Sequence, residues 1–462
     1  MLELIKNSSV VKLNKIPKSE GIKCEILAKC EFLLPGGSCK DRIAKRMIED
    51  AEKQGVLRPG YTLIEPSSGN TGISLAMISA VKGYKVIITA TEKMSKEKED
   101  ILNALGAVVI RSPSNLPHDH PDSNFSVALR LLNEIPNSVM LDQYTNRSNI
   151  MAHYDDTSEE IWDQCGGKLD YVVIGVGTGG TISGIGKKLK EKNPDLKVIG
   201  VDPYGSVIED MEEHPKFHSY KIEGIGYNFV PANVDRSVID GWVKTEDKES
   251  FRMARRMIRE EGLMVGGSCG SVVVAAIQVA KKLPENKRVL ILLIDGIRNY
   301  LTKFLNDDWM LENEFITEEE YDELQKTSDN VVPYGNNIMI SQLNMKKVSP
   351  VMCTITVDEA LNQLASQETD CLPVLDEENK LKGIISSKII ANGLSHYKTE
   401  FNRSIDTIIC DKFRVLNQTD HVGHLQKAFH RHKSVIILGE NNSFYVCEAS
   451  NLLDFFISSK NN

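Results

Sequence analysis

Lys40 stands in the run Leu34-Pro35-Gly36-Gly37-Ser38-Cys39-Lys40-Asp41-Arg42, a glycine turn at the mouth of a helix, and an amine placed there suits a Schiff base. The helix is legible from Ile43, Met47, Ile48 and Ala51 on one face and Lys45, Arg46, Glu49 and Asp50 on the other. Its first amides favour anionic ligands and a deprotonated amine at Lys40. On this segment alone, a solvated surface lysine is the better reading. Two further loops change that. Glu65-Pro66-Ser67-Ser68-Gly69-Asn70-Thr71-Gly72 lies between strand-like residues 61–64 and helix-like residues 73–81. Its hydroxyls and amides can hold a carboxylate, although alone it reads equally as a plain Asx or Ser turn. Gly177-Thr178-Gly179-Gly180-Thr181 follows strand-like residues 171–174 and opens a helix running to about residue 191, which makes a nest for a phosphate dianion.

The same stretch reads Gly175-x-Gly177-x-x-Gly180, with Asp202 closing the next strand, the pattern of a dinucleotide fingerprint. That rival explains neither Lys40 nor the serine loop. One cofactor bearing an aldehyde, a ring and a phosphate uses all three.

The elements that must position these loops alternate. Strand-like runs at 61–64, 85–89, 108–110, 171–174, 198–201 and 288–293 are separated by helical patterns, which predicts a parallel α/β domain. Two lobes are expected, with the cofactor between them, because the lysine and serine loop come early and the phosphate cradle late. Beyond residue 309 the character changes to an acidic helix-like stretch at 317–324 and a polar, turn-rich segment that reads as a linker. The expected divisions are a catalytic domain at 1–325, a linker at 326–346 and a second, α+β domain at 347–462.

The chain resembles the β-family of pyridoxal-phosphate enzymes, and within it the cystathionine β-synthases. The likeness is carried by Gly-Gly-Ser-x-Lys-Asp-Arg around Lys40, the Ser-Ser-Gly-Asn-Thr-Gly loop and the Gly-Thr-Gly-Gly-Thr cradle. It extends to Leu141-Asp142-Gln143-Tyr144, Ala152-His153-Tyr154, Glu223-Gly224-Ile225-Gly226-Tyr227, Gly266-Gly267-Ser268 and Arg298-Asn299-Tyr300, and runs from about residue 10 to about 311. The resemblance implies a two-lobed fold type II enzyme in which Lys40 carries the pyridoxal 5′-phosphate aldehyde and, once freed, takes the substrate α-proton. It implies Asn70 on the ring 3′-oxygen, Gly177, Thr178, Gly179, Gly180 and Thr181 on the phosphate, and Ser268 facing the pyridine nitrogen. Ser67, Ser68, Gly69, Thr71 and Gln143 would hold the amino-acid carboxylate, and Tyr144, Gly226 and Tyr227 would line the cleft. A neutral hydroxyl on the ring nitrogen weakens the electron sink and favours prompt loss of the β-substituent.

The implied reaction is β-replacement of serine by homocysteine to give cystathionine, with hydrogen sulfide released if cysteine is the first substrate. A cysteine synthase using O-acetylserine and sulfide stays open as an alternative, as does a catalytically weak regulatory paralogue. Leu34, where the family usually has asparagine, and Ile294-Asp295-Gly296, where it has Pro-Asp-Ser, keep the latter open.

The resemblance continues at the C-terminus with a pair of CBS-domain motifs, the second degenerate and spanning about residues 412–456. The family's nucleotide pattern, Gly-x-x-Ser/Thr-x-x-Asp, keeps Gly383 and Ser386 in the first copy but has Ile389 at the acidic position, and reads Tyr445, Glu448 and Asn451 in the second. This speaks against an adenosyl ligand, and equally for a module that only dimerises or tetramerises. A homodimer or higher homo-oligomer is implied.

No haem is expected, since the chain starts almost directly at the catalytic pattern. The nine cysteines show no metal-ligand spacing and read as reduced thiols. A net charge of -9 with interspersed signs argues against a nucleic-acid partner. The longest plain apolar run, 289–294, is far short of a membrane span, and no charged-then-apolar leader is legible, so a cytoplasmic enzyme is expected.

Overall fold

The alternating pattern closes into two sheets within the unit Met1–Tyr321. The computed structural model describes the chain except residues 68, 93, 114–115, 117–119, 210–219, 329–337, 396–398, 411–412, 430–432, 441–442 and 461–462. Ten strands belong to this unit: β1 (Val10–Lys12), β2 (Glu25–Cys30), β3 (Thr62–Pro66), β4 (Lys85–Thr91), β5 (Val108–Ser112), β6 (Ser138–Val139), β7 (Tyr171–Gly175), β8 (Lys197–Pro203), β9 (Gly241–Thr245) and β10 (Arg288–Leu293). They sort into a large sheet of order β1-β2-β10-β7-β8-β9 and a small one of order β5-β4-β3-β6. Every pair is parallel except β1 with β2. Helices cover the faces, so the central strands are apolar throughout: Val289 to Leu293 are all fully buried.

Four helices begin where these strands end: α1 (Lys40–Lys53), α2 (Asn70–Lys82), α3 (Gly180–Lys192) and α4 (Gly267–Ala280). Lys40, Asn70 and Gly180 are each the first residue of a helix and Ser268 the second, so four expected site positions sit among amides that lack intrahelical partners. The face of α1 read from the sequence is the buried one, with Ile43, Met47, Ile48 and Ala51 packed in the core of the small lobe.

β2 carries a lysine into this core. Lys29 is fully buried, its ammonium donating to Ser8 O, Glu160 Oε2 and Gln164 Oε1 at 2.7, 2.7 and 2.9 Å. Arg42 joins the same cluster, pairing with Glu31 at 2.6 Å and Glu160 at 2.7 Å. Burial works to raise the Glu160 carboxyl, but the hydrogen bonds and charges of Arg42 and Lys29 bring it down to about 2. The partners do not gain alike, because burial holds Lys29 below an ordinary lysine despite the same pair. Glu160→Gln is expected to cost about 3 kcal/mol at pH 7, since two buried cations lose their shared anion. With its folded value below its unfolded one, Glu160 stabilises fully above pH ~4.5 and loses that contribution as pH falls toward 2. Urea midpoints of the two proteins should therefore converge on acidification, and a constant gap would assign the cost to packing.

The unit Asp322–Asn462 has its own two sheets. Its strands are β11 (Lys346–Val348), β12 (Val351–Met352), β13 (Cys371–Leu375), β14 (Leu381–Ser386), β15 (Val415–Asn417), β16 (Ser434–Leu438) and β17 (Phe444–Glu448), ordered β12-β13-β14 and β11-β17-β16-β15. Each half repeats strand, helix, two antiparallel strands and helix, with helices Val357–Ser366 and Ser387–Ser395 in the first and Val422–Phe429 and Ala449–Lys460 in the second. Much of the expected linker lies outside the described residues. Of the rest, Ile340 and Leu343 are buried in the second copy's core and so belong to the folded unit. Two positions of the nucleotide pattern are spent on helix starts: Ser386 Oγ accepts from Ile389 N at 3.3 Å, and Asn451 Oδ1 from Glu448 N at 2.7 Å.

Candidate active site

Lys40 is held between its glycine turn and the end of β10. Gly37 has a φ of 80° and accepts from Gly296 N at 3.3 Å, while Cys39 N donates to Ile294 O at 2.8 Å. Gly36 must be glycine because a Cβ there would fall on the Asp41 carboxylate, which accepts from Gly36 N and Ser74 Oγ, both at 2.6 Å. The amine of Lys40 lies 3.7 Å from Cys39 Sγ. Burial works to lower it, but Cys39, Tyr227 and Asp295 pull the other way and set it above an ordinary lysine. Tyr227 and Asp295, from two other segments, thus act with the neighbouring Cys39 against the deprotonated amine expected from the helix dipole. Cys39 exerts its part only as a thiolate, and burial pushes its thiol up.

A recess opens beside Lys40, lined by Cys39, Gly177, Thr178, Gly179 and Thr181 among others. Close approach dictates the glycines: a Cβ on Gly177 would meet Gly224 O at 2.6 Å, and Gly179 has a φ of 88°. Thr178 Oγ1 accepts from Asn149 Nδ2 at 3.0 Å, and Thr181 Oγ1 lies 3.1 Å from His153 Nε2. Burial, with the charges of Arg42 and Lys40, holds His153 neutral. Asp202, the acidic residue of the dinucleotide reading, is fully buried and bound by Lys244 Nζ at 2.6 Å and Glu209 N at 3.2 Å. Both partners sit on Oδ2 and the whole side chain is buried, so the dinucleotide reading loses the accessible carboxylate it needs on a ribose.

The serine loop caps α2 from within: Ser67 Oγ accepts from Gly69 N at 3.4 Å and Gly72 N at 3.2 Å. Ser68 lies outside the described residues. Thr71 Oγ1 donates to Gln143 Oε1 at 2.7 Å, which joins two residues expected on the same carboxylate. Beneath them Glu65, fully buried, accepts from the amides of Asp142 and Gln143, both at 3.0 Å, and burial pushes it up to about 7. Tyr144 packs edge-on against Tyr227 with centroids 5.5 Å apart, and Phe229 completes the cluster. Gly226, with a φ of 78°, donates to Val176 O at 2.8 Å, which ties the Tyr227 loop to the cradle strand.

Asn70 spans the lobes. Its Nδ2 donates to Asp295 Oδ2 at 2.8 Å and its Oδ1 accepts from Asn299 Nδ2 at 2.8 Å, while Tyr300 donates to the same Asp295 oxygen at 2.6 Å. Asp295, Asn299, Tyr300, Asn149, His153 and Glu65 received no role from the sequence, although three of them, His153, Asn299 and Tyr300, stand inside motifs that carried the resemblance. Ser268 Oγ is buried and has no hydrogen-bond partner among the described residues; it lies 3.8 Å from where a Cβ on Gly224, a lining residue, would stand.

This geometry meets its match among known proteins. The family model of the pyridoxal-phosphate dependent enzymes matches residues 1–295, and that of the CBS domain matches residues 340–396. The cystathionine β-synthase of Apis mellifera is 47% identical over 444 residues, covering 96% of this chain and 87% of its own. That of Dictyostelium discoideum is 44% identical over 469 residues, covering 100% and 92%. This chain belongs to the cystathionine β-synthase family. Among solved structures, the O-acetylserine dependent cystathionine β-synthase of Helicobacter pylori is 36% identical with a TM-score of 0.61, covering 65% of this chain and 96% of that one. A hydrogen sulfide-producing enzyme of Fusobacterium nucleatum is also 36% identical, with a TM-score of 0.60.

Pyridoxal 5′-phosphate is the cofactor of a cystathionine β-synthase, and the residues present fit it. The recess joins a lysine amine to an amide-lined cradle with two hydroxyls, and the orphaned Ser268 hydroxyl calls for a polar ring atom. Among the described residues, no helix is long and apolar enough to cross a membrane, and no cluster of three His, Cys, Asp or Glu side chains could hold a metal.

Proposed function

We propose that this protein condenses L-serine with L-homocysteine to cystathionine and water. The observation that carries the reading is the meeting, in one unit, of Lys40, the phosphate cradle and the Thr71–Gln143 pair. When bound, the cofactor supplies the electron sink for the substrate α-carbon. Its phosphate would lie on the amides and hydroxyls of residues 177–181, its ring nitrogen against Ser268 and its 3′-oxygen against Asn70. Ser67, Ser68, Gly69, Thr71 and Gln143 would orient the amino-acid carboxylate, so that the α-proton faces Lys40. The Lys40 amine takes that proton, and as an ammonium it can hand a proton to the departing β-hydroxyl, which leaves as water. Tyr144, Gly226 and Tyr227 wall the cleft and exclude solvent while the homocysteine thiol attacks.

Serine plus homocysteine, assayed for cystathionine by mass spectrometry against O-acetylserine plus sulfide, tests the reading. Cystathionine from the first pair supports it. Turnover with only the second would make the protein a cysteine synthase, and turnover with neither would favour a regulatory paralogue. Ser268→Ala should keep the cofactor yet lower turnover roughly tenfold; wild-type rates would remove Ser268 from the ring nitrogen.

The reading extends to a homodimer or higher oligomer in the cytoplasm, with a catalytic domain near 1–325 and a CBS-domain pair near 347–462. The repeated strand-helix-strand-strand-helix order of the C-terminal unit supports the pair. Sedimentation of the full chain measures the assembly.

A further inference from the structure

Behind the cradle and the carboxylate clasp lies a buried amide that no step above uses. Asn149, on the short helix Arg147–Ala152, is fully buried. Its Nδ2 donates to the backbone carbonyl of Gln143 at 2.8 Å and to Thr178 Oγ1 at 3.0 Å. A backbone carbonyl can only accept, which fixes the amide's orientation. One NH2 group therefore touches both sites: Gln143 holds the Thr71 hydroxyl in the clasp, and Thr178 lines the cradle. The amide has no room to swing, because Asn149 Oδ1 occupies the place a Cβ on Gly180 would take. That oxygen is buried without a partner among the described residues, so the polar role of Asn149 runs entirely through its NH2.

We infer that Asn149 is a positioning residue that couples the phosphate cradle to the carboxylate clasp, so that bound cofactor phosphate and bound amino acid each tighten the other. The inference rests on the proposed roles of Thr178, Thr71 and Gln143. Thr178 accepts from Asn149, which leaves its own hydroxyl proton free for a phosphate oxygen. A phosphate drawing on that proton holds Thr178 in place, Thr178 holds the amide, and the amide holds the Gln143 backbone from which the clasp hangs. Asn233 Nδ2 donates to the same Gln143 carbonyl at 3.0 Å, so removing Asn149 should loosen the segment rather than unfold it. Linkage makes the coupling reciprocal.

The test uses full-length, cofactor-loaded protein as wild type, Asn149→Ala, Thr178→Val and the double variant. Asn149→Ala loses two neutral hydrogen bonds, one on each site, which predicts about a fivefold to tenfold rise in both the serine KM and the cofactor dissociation constant, with kcat changing less. Thr178→Val should raise the serine KM although it stands in the cradle, and the double variant should raise it no further than Asn149→Ala alone. The phosphorus NMR resonance of bound cofactor should move on adding serine to wild type and stay still in Asn149→Ala. Additive KM losses, an unmoved serine KM in Thr178→Val, or a resonance that still shifts in Asn149→Ala would overturn the coupling. Should Asn149→Ala fail to fold, Thr178→Val decides from the other end of the same bond. A wild type that makes no cystathionine, but whose resonance answers serine only while Asn149 is present, would reject the reaction and keep the coupling.

Discussion

Lys40→Ala protein makes cystathionine at less than about a thousandth of the wild-type rate, because it loses both the covalent anchor of the cofactor and the base for the α-proton. No other lining group replaces it. Cys39 is the nearest nucleophile, and burial keeps its thiol protonated. The cradle threonines have no basicity to offer, and His153 reaches only the far side of Thr181. The fold should survive, since the amine's one side-chain hydrogen bond among the described residues is the 3.7 Å contact with Cys39, while the turn is held by Asp41, Ser74 and the end of β10. Borohydride reduction followed by peptide mass spectrometry should find the pyridoxyl group on Lys40 in wild type and on no peptide of the variant. Full turnover in Lys40→Ala would remove this residue from the chemistry.

How much of this was legible depends on the range over which each residue is determined. β10 is legible to the residue, because an uninterrupted apolar run is a local signal. β6 has two residues, β9 is a partly exposed edge, and β2 carries a buried lysine whose side-chain partners lie more than a hundred residues away, so none gave a strand signal. The site divides in the same way. Lys40, the cradle and the Thr71 loop follow from glycine turns that open helices. Asp295 acquires its meaning from Asn70, 225 residues distant, and Asn149 from Thr178, 29 distant. The electrostatics of Lys40 divide in the same way: the helix dipole is local, whereas Tyr227 and Asp295 are brought to its amine only by the fold.

Gly177→Ala separates the cradle from the chemistry. A Cβ at this position would stand 2.6 Å from the carbonyl oxygen of Gly224 and 3.6 Å from its carbon, and a backbone cannot rotate away as a side chain can. Either the cradle twists, which misdirects the amides meant for the phosphate, or the 224–227 loop shifts, which moves Gly226 and Tyr227 off the cleft and Gly224 off Ser268. Overpacking of this kind costs about 1–3 kcal/mol, and the misaligned phosphate contacts add to it, so cofactor affinity should fall by about a hundredfold. Gly241→Ala on β9 is the control, because its Cβ would meet only Ile199 Cδ1 at an ordinary 3.5 Å. Cofactor titration by fluorescence reads both. Wild-type affinity in a folded Gly177→Ala protein would mean that the phosphate does not lie on residues 177–181, and the assignment of the cradle would fall with it.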